Sequence, residues 1–149
     1  MQRKEGEVVI RIVLIIMNIF LAVNQAYCQA LTENEWNIYY DGVETELSLP
    51  DNLTDKEIEV KNEEFCRSRG ITLREFNDIM EAAILGRPDA PLTDQESKVA
   101  GELKARLSSY GGKPPRRVLY DACREVSAKY GMRPGKAADI YYWATAGDD

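Results

Sequence analysis

The sequence predicts a mostly all-α protein: one small five-helix bundle preceded by a short β-hairpin or extended arm. Three observations carry that expectation. Capping boxes open three segments, a glycine stands where each of those segments should stop, and apolar residues recur at i, i+3 and i+4 between them. The 149 residues are 44 % hydrophobic and 30 % charged, a balance that suits a folded domain rather than a disordered chain.

Residues 1–30 read as an address rather than as fold. Arg3, Lys4 and Arg11 precede an apolar run from Ile12 to Val23, broken by Asn18. Ala26-Tyr27-Cys28-Gln29-Ala30 then offers small residues around a cut after Cys28 or Ala30. The run falls short of the roughly 20 apolar residues that a spanning helix needs. Lipidation at Cys28 is the competing reading, but Tyr27 puts a bulky ring where a lipobox takes a small residue. The expectation is a periplasmic or extracellular protein with no stable membrane span after processing. The division is 1–30 signal peptide, 31–52 hairpin or arm, and 53–149 helical domain.

Between Glu35 and Leu49 the residues alternate. Trp36, Ile38 and Tyr40 precede Asp41-Gly42, and Val43, Thr45, Leu47 and Leu49 follow it. Asp-Gly is a strong two-residue hairpin turn, because a type I′ turn needs positive φ at both central positions. A lone hairpin is marginal in water, so its apolar side should lie on the helices.

The helices are punctuated regularly. Thr54-Asp55-Lys56-Glu57, Thr72-Leu73-Arg74-Glu75 and Thr93-Asp94-Gln95-Glu96 are capping boxes, each followed by a stop at Gly70, Gly86 and Gly111 respectively. Pro114-Pro115 opens a fourth helix that Gly131 closes, and a fifth runs from about Gly135 to Ala146. The apolar stripes are Ile58, Phe65 and Cys66; Leu73, Phe76, Met80, Ala83 and Ile84; Val99, Leu103, Leu107 and Tyr110; Leu119, Ala122, Cys123, Val126 and Tyr130; and Ala137, Ile140, Tyr141 and Ala144. Such spacing marks core faces and no cofactor box. A weak echo relates Glu64, Gly70, Asp78, Ile79, Ala83 and Gly86 to Glu125, Gly131, Asp139, Ile140, Ala144 and Gly147, as any two helix–turn–helix units of similar length can.

Cys66 and Cys123 both fall on apolar helix faces. In an oxidising compartment two remaining thiols usually pair, and a bridge closing a loop of about 57 residues would contribute roughly 4 kcal/mol. The alternative is two separate buried thiols acting as small hydrophobes.

The chemistry is bounded by what is missing. The chain has no His, which removes His-dependent triads, HExxH zinc sites and imidazole switches. No CxxC pair, calcium loop or other metal motif occurs, and the run Glu57, Glu59, Glu63 and Glu64 reads as a solvated face. No catalytic residue, cofactor or metal is expected, and the protein is read as a non-enzyme.

The net charge of −6 disfavours nucleic acid, and the would-be recognition segment Leu73–Leu85 sets Arg74 against Glu75, Asp78 and Glu81. Residues 113–136 nevertheless gather Lys113, Arg116, Arg117, Arg124, Lys129, Arg133 and Lys136 against Asp121 and Glu125. Pairing within the fold or simple solvation accounts for them first, steering of a charged partner second.

Aromatic residues cluster at Trp36, Tyr39 and Tyr40 and again at Tyr141, Tyr142 and Trp143. Consecutive helical residues cannot share one face, so with Tyr141 inward, Tyr142 or Trp143 should approach the surface. Aromatic and Arg side chains anchor binding patches, although packing between the hairpin and the last helix is the simpler account. The expected function is an exported helical protein that binds a macromolecular partner, another protein or an envelope component, as an inhibitor, immunity-type or accessory protein. The candidate contact residues are Trp36, Tyr39, Arg116, Arg117, Tyr142 and Trp143. The alternative is a cytoplasmic helix–turn–helix module that binds nucleic acid.

Overall fold

The computed structural model describes residues 31–85 and 91–146. The expected signal segment with Cys28, the stop at Gly86 and the echo residue Gly147 therefore lie outside the described residues. Six α-helices and no strand occur among the described residues: α1 Glu33–Ser48, α2 Asp55–Arg69, α3 Leu73–Leu85, α4 Asp94–Leu107, α5 Arg116–Tyr130 and α6 Pro134–Thr145, with a short 3-10 turn at Ser108–Tyr110 after α4.

The all-α expectation holds, but the hairpin does not. Residues 33–48 form α1, because Thr32-Glu33-Asn34-Glu35 is a fourth capping box. The Thr32 hydroxyl accepts the Glu35 amide at 3.2 Å, and the Glu35 carboxylate accepts the Thr32 amide at 2.7 Å. Asp41-Gly42 is not a turn but the middle of that helix. Gly42 lies where α1 crosses the Phe76 ring of α3, and a Cβ there would sit 2.6 Å from two ring carbons. The missing side chain serves close helix approach rather than positive φ. Ile38, Tyr39, Gly42, Val43 and Leu47 then form a buried stripe of helical period, so the region is a sixth helix of the bundle and not an arm.

The three expected boxes form as well. Thr54, Thr72 and Thr93 accept the amides of Glu57, Glu75 and Glu96, whose carboxylates reach back to the threonine amides. Hydrogen bonding to those amides holds the Glu35, Glu57 and Glu75 carboxyls below the usual carboxylate range. Gly70, Gly111 and Gly131 take the left-handed conformation at their helix ends, with φ of 69°, 57° and 63°.

Helix α1 packs on α2, α3, α5 and α6, while α6 packs on α1, α4 and α5. Val99 and Leu103 of α4, Leu119, Cys123 and Val126 of α5, and Ala137 and Ile140 of α6 fill the centre. Two expected core residues are exposed instead: Ile84 at 60 % and Tyr110 at 42 %. Tyr110 lies in the 3-10 turn, which rotates it off the helical stripe.

Cys66 and Cys123 are both buried, and both are free. The expected bridge is absent because their helices do not pack on each other: α2 packs on α1 and α3, α5 packs on α4, α6 and α1, and α1 is the neighbour they share. Burial pushes both thiols up, Cys123 to about 12, so neither forms a thiolate near neutral pH.

Two outcomes check this packing. In urea unfolding, Gly135→Ala should cost about 3 kcal/mol, because its Cβ would lie 2.5 Å from the Tyr40 carbonyl oxygen. Gly42→Ala should cost about 2 kcal/mol, and Gly101→Ala, which meets nothing, should stabilise by up to about 1 kcal/mol. Cys66 and Cys123 should resist a water-soluble thiol reagent at neutral pH until urea is added, with electrophoretic mobility unchanged by reductant.

Candidate functional site

The seam between α1 and α6 positions the site. The Tyr39 hydroxyl donates to Asp139 Oδ1 at 2.6 Å, and both residues are buried. A carboxylate in such surroundings costs several kcal/mol unless hydrogen-bonded, so this donor is needed where it stands. Along the same seam the Glu44 carboxylate accepts the Gly135 amide at 2.9 Å, filling the role of a side-chain cap that Arg133 does not supply for α6. Arg133 reaches Asp41, Glu44 and Asn37 of α1, and Arg69 of α2 pairs with Asp41 at 2.6 Å. Trp36 stacks on Tyr40 at 5.6 Å and meets Tyr39 edge-on at 5.7 Å, so the first aromatic cluster is internal packing along α1.

Beside this seam lies an open groove of about 470 Å³. Tyr39, Val43, Glu46 and Leu47 of α1 form one side; Met80 and Ile84 come from α3, Arg116 from the start of α5, and Asp139, Tyr142 and Trp143 from α6. The second aromatic run divides as expected. Tyr141 is buried at 3 %, whereas Tyr142 and Trp143 are exposed at 49 % and 37 %. Burial in the groove pushes the Tyr142 phenol up to about 12, the Glu46 charge adds to that, and Arg116 opposes it.

Four of the six sequence-derived contact residues thus meet in one place: Tyr39, Arg116, Tyr142 and Trp143. Trp36 and Arg117 do not join them. Arg117 pairs with Asp121 one turn along its own exposed helix face at 3.3 Å. Sequence reasoning missed Glu46 and Asp139. For Asp139 a signal existed, a lone acid within the apolar run Ala137-Ala138-Asp139-Ile140-Tyr141; Glu46 was hidden because it was placed on a strand.

The basic stretch is largely spent within the fold. Lys129 pairs with Glu102 at 2.5 Å, Lys136 with Glu96 at 3.9 Å, and Arg124 lies over the Tyr120 ring at 5.8 Å. Among the described residues no three Cys, Asp or Glu side chains converge as a metal site, and no helix is long and apolar enough to cross a membrane. The arrangement offers apolar and aromatic surface with a few polar groups, which is the composition of a binding groove.

Replacing Tyr39 by Phe should cost about 2 kcal/mol in urea unfolding, because the buried Asp139 carboxylate loses a donor and no apolar contact is removed.

No family model matches the chain, and neither the curated proteins nor the solved structures include one similar to it.

Proposed function

We propose that this is a non-catalytic binding protein whose groove receives an apolar segment of a macromolecular partner. The observation that carries the reading is the convergence of Tyr39, Arg116, Tyr142 and Trp143 on one open groove, with Ile84 and Leu85 exposed at 60 % and 64 % at the end of α3. Large exposed apolar side chains around a concavity are the usual form of an interaction site, and Tyr, Trp and Arg are its usual anchors. Inhibitor, immunity-type and envelope accessory roles all fit such a surface. The apolar run Ile12–Val23 with small residues after it supports action outside the cytoplasm.

The nucleic-acid alternative has less support. Helix α3 exposes Glu75, Asp78 and Glu81, which would repel phosphate. Helix α6, the second candidate for a recognition helix, buries Gly135, Ala137, Ala138, Asp139, Ile140 and Tyr141, so its face is committed to the core.

The chain has two Trp residues, and only Trp143 lines the groove. In a Trp36→Phe background its fluorescence should shift and saturate as an amphipathic helical peptide is titrated in. Tyr142→Ala should weaken that binding more than roughly tenfold with the thermal unfolding curve unchanged. A flat titration across such peptides would refute the groove as a docking site. Export would show in the intact mass of protein recovered from its source, as loss of the first 28 or 30 residues, the two cuts that Cys28 and Ala30 offer.

A further inference from the structure

Resting on the reading of the groove as a partner site, we infer that the segment it accepts carries one basic side chain, lysine or arginine, set among apolar residues. The inference comes from which polar groups in the groove are already engaged. Asp139 accepts the Tyr39 hydroxyl at 2.6 Å. Arg116 donates from Nη1 to the Pro50 carbonyl at 3.2 Å and from its amide to Asp51 at 2.7 Å, which ties it to the α1–α2 connection. Glu46 stands apart: its carboxylate makes no hydrogen bond or ion pair among the described residues, and it does not pair with Arg116 although both line the groove.

The walls beside Glu46 are aromatic, from Tyr39, Tyr142 and Trp143. An unengaged carboxylate set in an otherwise apolar and aromatic lining is complementary to a cation through direct charge pairing. An anionic group in the same place would meet Glu46 and Asp139, with only an already engaged guanidinium to offset them. The net charge of −6 acts in the same direction at longer range. The exposed Ile84 and Leu85 extend the apolar surface at this end of α3, giving flanking residues of a polypeptide somewhere to sit that a small amine would leave empty.

Three amphipathic Leu/Ala helical peptides, identical except for Lys, norleucine or Glu at the centre of the apolar face, test this against the full chain carrying Trp36→Phe, read by Trp143 fluorescence. The Lys peptide should bind roughly tenfold more tightly than the norleucine peptide, and the Glu peptide more weakly than either. In Glu46→Gln the Lys preference should shrink to within about twofold while norleucine binding stays unchanged. Equal binding of the Lys and norleucine peptides, or a Lys preference that survives Glu46→Gln, would overturn the inference and leave the groove reading standing. No saturable response to any of the three would instead overturn the groove reading itself. A dimer of the protein alone that Trp143→Ala dissociates would overturn the inference in favour of a second copy as occupant.

Discussion

The seam between α1 and α6 is the constraint on which the arrangement depends. It combines a buried tyrosine–aspartate hydrogen bond at 2.6 Å with a helix start capped from another helix, through the Glu44 carboxylate on the Gly135 amide. Both contacts need the backbones close, and Gly135 permits it: even one added carbon would press on the Tyr40 carbonyl oxygen. Buried carboxylates are tolerated only where donors are fixed in place, so the seam specifies how α6 lies on α1 more sharply than apolar contact could. Arg133, held among Asp41, Glu44 and Asn37, fixes the same register from the other side of the helix start.

The groove follows from that registration. With Tyr141 committed to the core, the next two residues of α6 turn outward over the surface of α1, where Val43, Glu46 and Leu47 wait. Helix α3 closes the side with Met80 and Ile84, and the first residue of α5 contributes Arg116. Four helices therefore supply one concavity, and none of them could form it alone. Its aromatic rings come from stiff secondary structure rather than from loops, so the lining is held in place by the packing of the helices themselves.

Much of this was legible in the residues. The Thr-x-x-Glu boxes at Thr54, Thr72 and Thr93 and the glycines at Gly70, Gly111 and Gly131 marked helix ends because their chemistry is local: a hydroxyl, a carboxylate and a left-handed φ act within a few residues. The same local chemistry stood at Thr32 and Glu35, yet Asp41-Gly42 outweighed it, since a glycine that allows close packing is indistinguishable in sequence from one that allows a turn. Phe76 decides between them, and it lies on another helix. The candidate contacts split for a related reason. Tyr142 and Trp143 were placed outward by helical geometry alone, whereas the grouping with Glu46 and Asp139 depends on which helices meet. The cysteine expectation failed on the same point, because an apolar face tells that a thiol is buried but not what it is buried against.

The unbridged cysteines have a consequence for where the domain can remain intact. Among the described residues its cohesion comes from interlocked helices and hydrogen-bonded ends, with no covalent cross-brace, so the packing of these helices does not depend on the glutathione balance around it. The groove that α1, α3, α5 and α6 build therefore keeps its shape whether its surroundings are reducing or oxidising.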